Sequence, residues 1–140
     1  MAAIRGAQLG AKVALVEKNK VGGTCLNRGC IPTKALYASA KALAAARSAG
    51  DFGVNVKDIA FDLAKAVARK NEVVDKLVGG VRQLLKGNGV EVFEGEAFLE
   101  NVGQVRITRQ DGLKGTITAK KVIIATGSEV GLAMEAQKLL

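Results

Sequence analysis

Val21-Gly-Gly-Thr-Cys-Leu-Asn-Arg-Gly-Cys-Ile-Pro-Thr-Lys34 is the stretch on which the fold and the chemistry turn. It carries the only two cysteines of the 140-residue chain, Cys25 and Cys30. A regular α-helix would point positions five apart to nearly opposite sides and separate them by about 7.5 Å along its axis. A disulfide needs Cα atoms within about 7 Å. If the two sulfurs pair, the segment between them must be distorted, and Asn27 and Gly29 are residue types that permit it. Pro32, lacking a backbone N–H, helps fix where the regular helix begins. A thiol at a helix N-terminus feels the positive end of the dipole, so its pKa is expected to fall, and Arg28 and Lys34 push the same way. A dithiol so placed is set up to exchange with another disulfide or dithiol. The plainer alternative is two small hydrophobes that happen to lie close in sequence. Two thiols alone cannot supply the four ligands of a structural zinc site.

Upstream, Met1–Leu9 reads as the later part of a helix stopped by Gly10, and Lys12–Val16 as a short strand buried on both faces of a parallel sheet. Downstream, an Ala-rich helix runs to about Arg47, and Gly50–Val56 is a loop. Asp62 is placed to cap a second long helix, where Leu63, Val67, Val74, Leu77, Val81 and Leu84 recur at helical spacing until Gly87 and Gly89. Val90–Phe93 alternates like a strand. Gln104–Arg109 and Gly115–Ala119 read as a hairpin about Asp111-Gly112. Lys121–Ala125 predicts a last strand running into Thr126-Gly127-Ser128. Strand, helix, strand, β-meander and strand together predict an α/β, Rossmann-like nucleotide-binding domain with a parallel sheet.

In such a fold Glu17, at the end of the first strand, stands where an acidic residue meets a ribose hydroxyl. Gly22-Gly23-Thr24 offers backbone N–H groups to a phosphate, and Thr126-Gly127-Ser128 permits close backbone approach. Each signal is weak alone, since strand-end carboxylates and glycine doublets are ordinary surface and turn chemistry. Composition excludes more. There is no histidine, so no Ser-His or Cys-His pair can arise within the chain. The net charge of +8 comes from 21 basic residues scattered without a block, densest at Lys12, Lys18 and Lys20. With few aromatics for base stacking, a solvated surface explains that charge better than nucleic-acid binding. No apolar run approaches the roughly 18 residues needed to span a bilayer. A cytoplasmic or organelle-matrix location is the default expectation, one that keeps idle thiols reduced.

Taken together, Gly22–Lys34, upstream Val13-Ala-Leu-Val-Glu-Lys18 and downstream Val122-Ile-Ile-Ala-Thr-Gly-Ser-Glu129 resemble the flavin-dependent disulfide oxidoreductases, class I of the pyridine nucleotide-disulfide group. The likeness is greatest to the dihydrolipoamide dehydrogenases. Glutathione and mercuric reductases share the frame but more often carry Val at the positions of Leu26 and Ile31, and rank second. The resemblance implies that Cys25 is the interchange thiol facing the lipoyl dithiol. It implies that Cys30 lies against the flavin and passes electrons to it, with Lys34 near the flavin's reactive nitrogen. Glu17 would bind the FAD ribose, Gly23 and Thr24 would contact the cofactor, Ala97 would lie near the adenine, and Thr126, Gly127 and Ser128 would close over it. The implied reaction oxidises protein-bound dihydrolipoamide, with NAD as final acceptor. The implied partners are a lipoyl domain of a 2-oxo acid dehydrogenase or glycine cleavage complex and a second subunit in a homodimer, with no nucleic acid and no membrane.

The resemblance covers roughly residues 2–130. The sequence therefore divides into an incomplete FAD-domain segment over 1–130 and a short helical tail over 131–140. The strand and G-x-G-x-x-G turn with which the family begins are not in the sequence. That strand is expected to lie between Lys12–Val16 and Lys121–Ala125, so its absence should leave open strand edges and apolar surface. The expectation is weak stability, poor FAD retention and no turnover by this chain alone. The contrasting possibility is a non-enzymatic remnant or interaction domain.

Overall fold

The computed structural model describes residues 1–128, so the predicted tail at 131–140 lies outside the described residues. Helix α1 (Ala2–Gln8) leads through Gly10 into strand β1 (Ala14–Glu17). Two helices follow, α2 (Gly23–Asn27) and α3 (Cys30–Arg47), then a 3₁₀ turn at Ala49–Phe52 and the long helix α4 (Leu63–Gly87). Four strands complete the described chain: β2 (Glu91–Glu94), β3 (Glu96–Asn101), β4 (Gln104–Thr108) and β5 (Lys114–Thr118).

The start of α4 is set by Asp62, whose carboxylate accepts the Lys65 N–H at 2.9 Å and satisfies one of the donors a helix N-terminus leaves open. Its end is closed by Asn88, whose amide donates to the Leu84 carbonyl at 2.7 Å, before Gly89 turns the chain at φ 70°. Past that turn, β2 lies parallel to β1 with Leu15 opposite Val92 and Glu17 opposite Glu94. Parallel strands need a long crossover, which the helices supply. The core gathers where α4 meets this pair: Val21, Val74, Val78, Leu85 and Val90 are buried, with Ile4, Val13, Leu15, Leu26, Ile31 and Val92 packed on them. The other three strands form a separate antiparallel meander in the order β3-β4-β5, its inner face made by Val105 and Ile107.

The mixed α/β architecture with a parallel sheet and flanking helices is as expected. Three elements differ. Strand β1 is not buried on both faces, since Ala14 is exposed and Leu15, Val16 and Glu17 are only half-buried. Strand β3 was not anticipated, because Glu96–Asn101 is exposed throughout and has no apolar alternation to betray it. Lys121–Ala125 forms no strand, and Ile123 and Ile124 are each 73% exposed. A strand is a property of a ladder, and among the described residues 121–125 is paired with none of the five strands.

Candidate functional site

The thiol-bearing stretch leaves the C-terminal end of β1, where ligands of parallel sheets bind. Gly22 and Gly23 take left-handed backbone angles, φ 111° and 74°, which turn the chain into α2. A Cβ at Gly22 would come within 3.0 Å of the Leu26 side chain, so the turn needs glycine for room as well as for angle. At Gly23 the space where a Cβ would stand is open. Helix α2 ends at Asn27, Arg28 breaks the helical path at φ −135°, and α3 begins at Cys30. The distortion required between the two cysteines is therefore a break between two helices.

Asn27 and Gly29 produce that break differently from the way their residue types suggest. Neither takes a left-handed angle. Gly29 matters because a Cβ there would lie 3.2 Å from the Cys25 Cα and 3.3 Å from the Thr24 carbonyl, so its bare backbone lets α2 and α3 approach. Asn27 acts as a clamp: its Nδ2 donates to the carbonyls of Lys20, Val21 and Gly23 at 3.3, 3.2 and 2.9 Å. On the α3 side, Thr33 closes on Gly29 through both its N–H (3.2 Å) and its hydroxyl (2.8 Å). Pro32 falls in the first turn of α3, where its missing N–H costs nothing.

Both cysteines are free thiols and exposed, so the alternative of two buried hydrophobes is not what the fold contains. The Cys30 thiol is pushed up from its ordinary range, first by its hydrogen bond with the Cys25 side chain, then by repulsion from that group and by desolvation. Its backbone and the Lys34 charge pull it down without prevailing. The expected fall at the helix N-terminus is thus overturned by a second sulfur alongside, which stabilises the protonated form. The structure joins Cys25, Cys30 and Lys34 in one electrostatic group.

The other predicted residues lie around it at differing removes. The Glu17 carboxylate accepts the Asn19 N–H at 2.9 Å at the end of β1. The Glu17 carbonyl accepts the Gly95 N–H at 3.0 Å, which brings the start of β3, and with it exposed Ala97, to the same end of the sheet. Thr24 is exposed on α2. Thr126, Gly127 and Ser128 are exposed outside any strand, and among the described residues no hydrogen bond ties them to the thiols. A hollow of about 640 Å³ near α2 is lined by Leu26, Leu77, Val81 and Leu84 and contains neither thiol. Sequence reasoning missed the clamp role of Asn27, because a side-chain amide facing three carbonyls seven or fewer residues back leaves no periodic signal.

The family profile described as pyridine nucleotide-disulphide oxidoreductase matches residues 1–137. A dihydrolipoyl dehydrogenase of Geobacillus stearothermophilus is 47% identical over 128 residues, 91% of this chain and 27% of that protein. One from Chlorobaculum parvum is 43% identical over 99% of this chain and 30% of its own length. Among solved structures, an HOCl-induced flavoprotein disulfide reductase of Escherichia coli, a cysteine-to-serine mutant with copper(II), aligns with a TM-score of 0.74 at 30% identity. That alignment covers 94% of this chain and 26% of the other. The chain thus spans about a quarter to a third of the relatives it matches. No helix among the described residues is long and apolar enough to cross a membrane.

Proposed function

The chain belongs to the pyridine nucleotide-disulphide oxidoreductase family, and from that premise we propose that it is the FAD- and dithiol-bearing portion of a dihydrolipoyl dehydrogenase. The observation that carries this reading is the helix break that sets Cys30 beside Cys25 and within the field of Lys34. The residues present suit a flavin dinucleotide: a carboxylate at the end of a parallel strand for the ribose, open backbone at Gly23 for a phosphate, and an exposed thiol next to an ammonium group. Glu17, Gly23, Thr24, Lys34, Ala97, Thr126, Gly127 and Ser128 would hold the cofactor. FAD, when bound, supplies a two-electron acceptor for the reduced pair.

In the oxidised chain a Cys25–Cys30 disulfide is the reacting bond. A lipoyl thiolate attacks the Cys25 Sγ, forms a mixed disulfide and expels Cys30 as a thiolate, which Lys34 stabilises by charge. The second lipoyl thiol then displaces Cys25. The lipoyl group leaves as a cyclic disulfide and both cysteines are left reduced, so two electrons have passed to the chain. In this reading Cys25 would touch the substrate, and Cys30 would face the cofactor.

NAD reduction, docking on a lipoyl domain of a 2-oxo acid dehydrogenase or glycine cleavage complex, homodimerisation, and a cytoplasmic or matrix location belong to the complete enzyme in this proposal. Among the described residues there is one parallel ladder, hence one set of strand ends for a dinucleotide. NAD-linked turnover by this chain alone is accordingly expected to be undetectable. The test is thiol release: oxidised chain mixed with dihydrolipoamide should gain two thiols, far faster than with an equal concentration of a monothiol. Equal rates with both would refute the assignment.

A further inference from the structure

We propose that Asn27 is a positioning residue that sets the redox equilibrium of the thiol pair by anchoring Cys25 independently of Cys30; this rests on the dithiol reading above. The two sulfurs sit on elements held by different means. Helix α3 carries Cys30 and is tied to α4 by Arg69, whose Nη1 donates to the Ala35 carbonyl at 3.2 Å. Helix α2 carries Cys25, has only five residues and buries none of them. A helix that short has no stability of its own, so the place of Cys25 depends on its tethers.

The Asn27 amide is the polar tether. Its Nδ2 reaches the Lys20 and Val21 carbonyls as well as that of Gly23 inside α2. Val21 is 4% exposed, in the core against α4, and Lys20 is bound to Asp75 of α4 at 3.0 Å. The amide thus connects the turn beyond Cys25 to backbone that the core holds still. Its Oδ1 is buried with no hydrogen-bond partner. Flipping the group would aim that oxygen at three carbonyls, so the orientation is fixed by the donors. An orphaned oxygen is a cost that an apolar side chain would avoid, and the donor side is what the amide contributes in return.

Disulfide stability follows the effective concentration of one thiol at the other. Cutting the tether lets α2 drift and lowers that concentration. The experiment equilibrates the full chain with glutathione and its disulfide over a range of ratios and counts protein thiols. At each turnover one glutathione disulfide is reduced to two glutathione molecules while Cys25 and Cys30 lose two protons and two electrons to form their bond. Asn27→Asp, isosteric but without the donor, should shift the equilibrium about tenfold towards the dithiol, about 30 mV. Asn27→Ala serves if the aspartate variant loses its far-ultraviolet helix signal. Asn88→Ala removes a comparable amide bond at the end of α4 and should leave the equilibrium unchanged. A wild-type chain that forms the bond with both Asn27 variants matching it overturns the positioning role alone. A wild-type chain that never forms it overturns the dithiol reading and this one together. Equal shifts from Asn27 and Asn88 variants would mean general loosening and also overturn the proposal.

Discussion

Gly29→Ala tests the close approach of the two thiol-bearing helices most directly. The new methyl would lie 3.2 Å from the Cys25 Cα, 3.3 Å from the Thr24 carbonyl and 3.6 Å from the Cys25 carbonyl. All three are backbone atoms, so no side chain can rotate away and α2 itself must retreat by a few tenths of an ångström. Overpacking of this kind costs about 1–3 kcal/mol. Lower unfolded-state entropy returns about 0.4–1 kcal/mol, leaving a net loss of roughly 1–2 kcal/mol. For a chain of this length that lowers the melting temperature by roughly 3–6 °C, read by circular dichroism on the reduced protein. The same retreat separates the sulfurs, so more glutathione disulfide should be needed to close the bond. Gly79→Ala is the contrast: it lies inside α4 with nothing within 4 Å of its Cβ position. Alanine there should stabilise by about 0.5–1 kcal/mol. If Gly29→Ala melts at or above the wild-type temperature while Gly79→Ala behaves as stated, the close-approach argument is wrong.

Cys25→Ala removes the two largest influences raising Cys30, so its alkylation by iodoacetamide should become half-maximal at a lower pH than in the wild type. An unmoved or higher midpoint would contradict the assigned cause. Because the folded chain holds the Cys30 proton more tightly than the unfolded chain does, reduced protein is expected to lose stability as pH rises through and above the ordinary thiol range, a decline that Cys30→Ser should abolish. Asp62→Ala deletes the cap of α4 and should cost about 1 kcal/mol in urea unfolding. Gly95→Ala should be worse than Gly29→Ala in the same assay, since its Cβ would stand 2.6 Å from the Thr108 carbonyl at a φ of 158°.

What could be read in advance was what is local. Asp62 ahead of a periodic apolar stripe announces α4, and Asp111-Gly112 announces the β4–β5 turn, where the Asp111 carboxylate accepts the Leu113 N–H. The cysteine spacing required a break in the helix only if the two sulfurs pair, because an unbroken helix holds positions five apart too far from each other for a bridge. Lys121–Ala125 was misread for the opposite reason: β-branched residues describe a willingness to pair, and pairing is decided by the neighbour. Helix α2 was too short to display a period. The direction of the Cys30 shift followed from helix-end electrostatics until the second sulfur entered, and how near the two come depends on Gly29 and Asn27 acting through contacts that no spacing rule encodes.

The ring that Cys25 and Cys30 would close when bridged has consequences for how the domain registers its own oxidation. A loop of about six residues carries little chain entropy, so sealing it contributes only about 2 kcal/mol. By the scaling used for Gly29→Ala that is a shift of roughly 6 °C in melting temperature, so a melting screen on oxidised and reduced protein should register the bond as a modest rise. The pair can open and shut while the surrounding fold persists, and a mass shift or thiol titration counts the bond directly where melting reports only its small stabilisation.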